Sequence, residues 1–236
     1  MKRIAKCLIA FVLVIAIAAS CVVTASGASN KYSYTNTTKR SYVKVDGKNI
    51  GGDFHYQLIQ VKGKSTVKNK INKGLKTDYK KFVNAHWNDF ITYSIMAYNN
   101  QYQDPKQYFC TIDSKVTSNT KNIFSVKKAS DWFAGGVHNL DESGLVYSKK
   151  TGKQLYLSHF IKGNTKQINK KVKKAFLKKL NCSASKYSEA MQTIANYKIK
   201  DYKIYVSATR VYVCFDPYEL GLHNNHLTLS LKREDK

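Results

Sequence analysis

Carboxylates are scarce in this sequence. Its 236 residues hold 15 Asp and Glu against 40 Lys and Arg, a formal charge of +25 at pH 7 with histidine neutral. Proline is scarcer still, and two prolines beside 17 tyrosines and 10 phenylalanines exclude a proline-rich linker or a disordered tail, which are poor in aromatic side chains. Five cysteines are too few for a disulfide-dense miniprotein. A single long apolar run and the lack of a self-similar period exclude a polytopic membrane protein and a repeat array. What is present is a chain with 43% hydrophobic residues, enough to bury the core of one domain or of two small ones.

The N-terminus has the three-part layout of a secretory leader. Lys2, Arg3 and Lys6 precede the apolar run Cys7 to Ala19, and small residues follow at Ser20, Ala25, Ser26, Gly27 and Ala28. The sequence therefore predicts a signal peptide over residues 1–28 and an extracellular or cell-surface location. Two processing routes compete. Cleavage after Ala25 uses Val23 and Ala25 as the recognition pair, whereas lipoprotein processing at Ala18-Ala19-Ser20-Cys21 would leave Cys21 lipidated. Loss of residues 1–28 removes three basic residues and no acidic one, leaving 37 − 15 = +22. It also leaves Cys110, Cys182 and Cys214, which form one bridge at most or serve as three small buried hydrophobes.

Residues 29–40 are polar and aperiodic and are expected to be a flexible lead-in to a domain over 41–236. Alternation predicts a strand over 53–61, and Val67, Ile71, Leu75, Tyr79 and Phe82 form the apolar stripe of a helix capped by Ser65 or Thr66. Residues 90–103 and 107–117, rich in β-branched and aromatic side chains and separated by Asp104-Pro105, are expected to be the two strands of a hairpin. Short strands are expected near 123–126, 145–147 and 154–157. A helix over 164–180 carries Ile168, Val172, Phe176 and Leu180 on one face, and a weaker helix spans 185–195. Strands over 203–206, 210–215 and 227–231 close the chain. The class is α+β, a largely antiparallel sheet with helices packed on one face.

Gly135-Gly136-Val137-His138, Thr151-Gly152-Lys153, Leu157-Ser158-His159-Phe160 and Phe215-Asp216-Pro217-Tyr218-Glu219-Leu220 stand in the order of a family of extracellular bacterial domains. In these motifs the chain resembles the outer domain of RsiV-type, lysozyme-sensing anti-sigma factors, which also occurs beside polysaccharide deacetylase domains. The resemblance spans about residues 42–231. It implies a sensing or binding module alone, because only six residues precede the apolar run and no deacetylase domain follows. The stretch Gly221 to His226 departs from the family's small-residue loop. Within the motifs Gly135, Gly136, His138, Thr151, Gly152, Lys153, Pro217, Tyr218 and Glu219 are expected to be structural, with His138 satisfying a turn and Tyr218 packing where a strand leaves the sheet.

The reactive residue types do not assemble into a recognisable motif. The glycine pairs lack dinucleotide or P-loop spacing. His223 and His226 with Asp216 and Glu219 are set out like a metal site but on a short loop, and solvated histidines are the plainer reading. Ser158, His138, His159 and Asp216 supply the parts of a hydrolytic set without a nucleophile elbow. The expectation is a non-enzymatic module with no cofactor and no metal. The alternative is an unrecognised cell-wall hydrolase or deacetylase accessory enzyme.

Lysine is the positive signal. Between Glu142 and Glu189 lie twelve lysines and no carboxylate. The helix over 164–180 carries Lys166, Lys170, Lys171, Lys173, Lys174, Lys178 and Lys179, either a solvated face or a surface for a polyanion. An exported protein meets anionic wall polymer and lipid headgroups before nucleic acid. The expected partners are therefore a cell-wall polymer or a wall-active protein such as a lysozyme-like hydrolase, with peripheral membrane association and no nucleic acid. Basic lysozymes would be repelled at long range by a +22 receptor, which favours the polymer.

Overall fold

A computed structural model describes residues 21–23, 30–100, 104–222 and 226–235. The leader expected over 1–28 lies outside them apart from Cys21–Val23. Strands β1 (Cys21–Val23), β2 (Tyr34–Ser41), β3 (Lys44–Val45), β4 (Lys48–Asn49) and β5 (Asp53–Val61) precede the long helix α1 (Thr66–Asn100). Next come β6 (Phe109–Asn119), β7 (Ile123–Phe133), β8 (His138–Ser148), α2 (Thr165–Leu180), α3 (Ser188–Asn196), β9 (Lys203–Val206), β10 (Arg210–Phe215) and β11 (Leu227–Lys232). The sheets are β1-β2-β5-β6-β7-β8, β11-β10-β9 and the small hairpin β3-β4. Pairing is antiparallel except between β5 and β6, so the fold is α+β with a largely antiparallel sheet.

The parallel pair explains the largest departure from expectation. Parallel neighbours cannot be joined by a tight turn and need a crossover, and α1 supplies it from the end of β5 to the start of β6. Residues 90–100, expected as the first strand of a hairpin, are the last three turns of this helix. Their strand-like composition is overridden by packing: Ile71, Leu75, Phe82, Phe90, Ser94 and Ala97 are buried at helical spacings of three, four, seven and eight. Ser65 caps the helix, its Oγ accepting from the Lys68 N–H at 3.2 Å. Phe90 and Phe82 meet the Phe54 ring of β5 at 5.2 and 5.1 Å between centroids.

A second correction concerns the lead-in. Residues 34–41 form β2, aligned with β5 from Tyr34 opposite Val61 to Ser41 opposite Phe54. Its polar side chains are bonded inward, as where Asn36 Nδ2 donates to the Ser114 carbonyl at 3.0 Å. The strands near 123–126 and 145–147 are longer than expected, and β7 and β8 pair over eleven residues each. The strand expected at 154–157 is one bridge, Tyr147 to Gln154, followed by a 3-10 turn over Leu157–His159.

There are two cores. One packs α1 on the six-stranded sheet, and the other packs α2 and α3 on β9, β10 and β11. Strands β7 and β8 serve both: Phe124, Val126 and Tyr147 belong to the first core, whereas Ile123 and Val146 belong to the second, as side-chain alternation along a strand requires. No disulfide supports either core, since Cys110, Cys182 and Cys214 are free, the first and last of them buried.

Candidate functional site

The helix predicted over 164–180 forms with the expected face. Asn164 Oδ1 accepts from the Gln167 N–H at 3.0 Å and Gln167 Oε1 accepts from the Asn164 N–H at 2.9 Å, a reciprocal capping box. At the other end Asn181 takes a left-handed conformation (φ 48°), and the Cys182 N–H returns to the Leu177 carbonyl at 3.2 Å. Ile168, Val172 and Phe176 are fully buried. Asn169 is buried too and wholly engaged: Nδ2 donates to the Ala195 and Tyr197 carbonyls at 3.0 Å each, and Oδ1 accepts from the Tyr202 hydroxyl at 2.8 Å. The polar arc that remains carries the lysines.

Lys166, Lys170, Lys174, Lys178 and Lys179 are exposed and Lys173 is half-buried. Among the described residues none of these six has an ion-pair partner. Lys171 differs: its Nζ donates to both oxygens of Glu234 at 2.7 and 2.8 Å and to the Lys162 carbonyl at 3.0 Å. The Lys171 ammonium holds the Glu234 carboxyl below the usual range. The helix, which has no carboxylate of its own, thus gains one from the far end of the chain. Lys162, Lys170, Lys171 and Lys174 border a shallow hollow beside the start of α2, where unpaired N–H groups and the helix dipole add to the positive field.

A second polar site was not visible in the sequence. A cleft of about 370 Å³ lies between α1, β8 and β9, and Asp78, His86, Lys128, Asp141, Tyr156 and Lys203 are among its lining side chains. On one wall Asp78 Oδ2 accepts from the Tyr56 hydroxyl at 2.6 Å and from Lys128 Nζ at 2.7 Å. On the other, Lys203 pairs with Asp216, and Asp216 lies within hydrogen-bonding reach of Asp141. The Oδ1 atoms of Asp141 and Asp216 are buried without a donor. Burial, and then the Asp216 charge, push the Asp141 carboxyl up to about 7. Burial alone would lower the Lys203 ammonium, and the Asp216 carboxylate outweighs it and raises it. A carboxyl raised in this way can donate to a hydroxyl group or exchange a proton near neutral pH.

The motif residues sit in turns. Gly135 (φ 72°) and Gly152 (φ 73°) occupy the left-handed region, where a Cβ is strained, whereas Gly136 faces open space. His138 opens β8, its Nε2 2.7 Å from Asp131 Oδ1 and its ring edge-on to Phe109 and Phe133. The Ser148 N–H donates to the Lys153 carbonyl at 2.9 Å and the Lys153 N–H to Thr151 Oγ1 at 3.3 Å. Glu219 accepts from the Tyr197 hydroxyl and from the Asp216 N–H, the latter at 2.6 Å. Tyr218, expected to pack after Pro217, is instead 57% exposed and has a left-handed backbone (φ 65°), because the turn from β10 aims its side chain outward.

Among the described residues no group of His, Cys, Asp and Glu is set to hold a metal ion, and the members of the hydrolytic set have other partners. His138 is engaged with Asp131 and His159 with Tyr156, and Asp216 with Lys203. His226 Nδ1 lies 3.2 Å from the Leu140 carbonyl and its Nε2 3.9 Å from Glu142. His223 lies outside the described residues.

A family model described as "Deacetylase PdaC" matches residues 52–140, the span from β5 through α1 into β8. The chain is also similar to the crystal structure of a DUF3298 family member from Bacteroides fragilis, with a TM-score of 0.60 and 13% identity over 86% of this chain and 92% of that one. A DUF3298 family protein from Pseudomonas aeruginosa aligns with a TM-score of 0.49 and 15% identity over 84% of this chain and 90% of that one. The first likeness shows a shared fold. No curated protein matches the chain. Among the described residues no helix is long and apolar enough to cross a membrane.

Proposed function

We propose that the chain is an exported, envelope-associated, non-enzymatic binding module that holds anionic cell-wall polymer on the lysine face of α2. The observation that carries this reading is the unpaired state of six of the seven helix lysines. Like charges three and four apart on an exposed helix each cost about 0.2–0.5 kcal/mol, and among the described residues only Glu234 offsets any of them. A bound polyanion relieves that repulsion and releases its counterions. The RsiV-type resemblance adds a receptor for a wall hydrolase as the protein-binding version of the same module. A net charge of +22 disfavours basic hydrolases as its target.

The test leaves Lys171 in place, since it ties down the C-terminal segment. Lys170, Lys173, Lys174 and Lys178 changed to Gln should weaken retention on isolated walls, most at low salt, with thermal unfolding unchanged. Equal retention of variant and parent at low and high salt overturns the reading. A salt-resistant single protein captured from envelope extract would replace polymer by a protein ligand.

A second reading rests on the Asp141–Asp216 pair. If the cleft is a hydrolytic site, the protein turns over peptidoglycan or its acetyl or ester substituents, and Asp141→Asn abolishes that turnover. The binding-module reading expects no turnover from either form.

A further inference from the structure

The six-stranded sheet has one end at which every loop is basic. There β2 begins, β5 and β6 end, β7 begins and β8 ends. The connecting stretches 30–33, 61–65, 119–122 and 148–153 contain no Asp or Glu. They expose Lys31, Lys62, Lys64, Lys121, Lys150 and Lys153. The opposite end is mixed, with Asp53, Asp131, Asp141 and Glu142. The loops of the lysine end are also tied to one another. Asn119 exchanges two hydrogen bonds with the Tyr32 backbone at 2.9 and 2.8 Å. The buried Lys149 donates to the Asn30 carbonyl and lies 4.0 Å above the Tyr32 ring, and Lys62 N–H donates to the Ser33 carbonyl at 2.8 Å. Among these loops is an open hollow bordered by Lys31, Lys121, Lys149 and Lys150, of about 470 Å³, the size class of a lipid headgroup.

The chain reaches the domain at this same end. Asn30 lies in the hollow's wall, and Val23 pairs with Tyr34 at the start of β2. The domain's N-terminal side is therefore on the lysine end, and the apolar run Cys7 to Ala19 precedes it in sequence.

We infer that this lysine end docks on an anionic lipid bilayer, its hollow taking phosphate headgroups, so that α2 belongs to a second and separate anion surface. The inference rests on the exported reading of the chain but not on polymer binding by α2. Basic residues close to an anionic membrane surface each strengthen binding about fivefold, and the effect fades within a Debye length.

The experiment uses the full chain with vesicles of phosphatidylcholine alone or mixed with phosphatidylglycerol, probed by amine-reactive labelling and mass spectrometry. Lys31, Lys121, Lys150 and Lys153 should be protected only on the phosphatidylglycerol vesicles, and high salt should restore their labelling. The α2 lysines should label equally on both. Combined Lys62→Gln, Lys64→Gln, Lys121→Gln and Lys150→Gln should lower the affinity gained from phosphatidylglycerol by two orders of magnitude or more. That variant should keep its unfolding midpoint, and its retention on isolated walls should be unchanged. Equal labelling in both vesicle types, protection confined to α2, or a variant that binds phosphatidylglycerol as tightly as the parent overturns the inference. Loss of wall retention in the variant with vesicle binding intact would make this end a polymer site and overturn it as well.

Discussion

Asp141 shows how a single carboxyl can report on its surroundings. Its proton is held in the fold up to about pH 7 but released near the ordinary aspartate value once the chain unfolds. Between those two values the native state binds more protons than the unfolded one, so this group's contribution to stability falls as pH rises and is fully lost above 7. Asn at the same position keeps a donor toward Asp216 and does not titrate. The stability difference between Asp141→Asn and the parent, from urea unfolding at a series of pH values, should be near zero at pH 4 and rise in the variant's favour to about 1–2 kcal/mol above pH 7, a value reduced from the full shift because the group is only half-buried. A difference that is flat with pH would mean that the fold does not hold the Asp141 proton. Asn169 is the contrasting case, a buried amide with all its bonds made. Asn169→Ala would leave the Tyr202 hydroxyl and two carbonyls without their partner and should cost about 2–3 kcal/mol at every pH.

At the scale of elements, the amphipathic pieces were legible and the long helix was not. Helix α2 declares itself through four apolar residues at a spacing of four, Ile168, Val172, Phe176 and Leu180. β10 and β11 declare themselves by alternation, Val211-Val213-Phe215 and Leu227-Leu229-Leu231 pointing one way. In α1 the stripe continues beyond Phe82, but through Phe90, Ser94 and Ala97, so a serine and an alanine stand where large side chains would have signalled burial. Tyr93, Met96 and Tyr98, the conspicuous apolar residues, are exposed. The helical register can be tested directly: Phe90→Ala should lose about 3–5 kcal/mol, whereas Met96→Ala, at 54% exposure, should change stability by less than about 0.5 kcal/mol. β2 was missed because its side chains are polar and it is held by pairing with β5 and by bonds such as that of Asn36 Nδ2 to the Ser114 carbonyl, which composition does not reveal. The lysine face could be read because its members are close in sequence. The cleft could not, because Asp78, Lys128, Asp141, Lys203 and Asp216 come from separate stretches of chain, and only the packing of β8 against β9 brings the last three together.

The molecule as a whole is held by that same contact. Gly144 in β8 faces the second sheet, and a Cβ there would lie 2.7 Å from the Ile204 carbonyl oxygen and 2.8 Å from that of Val126. Both are backbone atoms, which cannot swing aside as a side chain would. The joint is completed by the Val206 N–H, which donates to Ser125 Oγ at 3.0 Å in full burial. Since β7 and β8 contribute to both cores, the two layers should unfold together as long as this joint is closed. Each layer carries a buried thiol as its own probe: Cys110 on β6 and Cys214 on β10, both with burial pushing the thiol up to about 12. Labelling of the two cysteines in increasing urea should therefore follow one transition in the parent protein, coincident with the fluorescence of Trp87 and Trp132 on the α1 side. Gly144→Ala forces the layers apart and should cost about 1–3 kcal/mol. It should also separate the curves, with Cys214 labelled at lower urea than Cys110, because β9, β10 and β11 lose their seat on β8 while α1 keeps its own on β5. Coincident curves in the variant at unchanged midpoint would show that β8 and β9 do not approach as closely as the glycine implies.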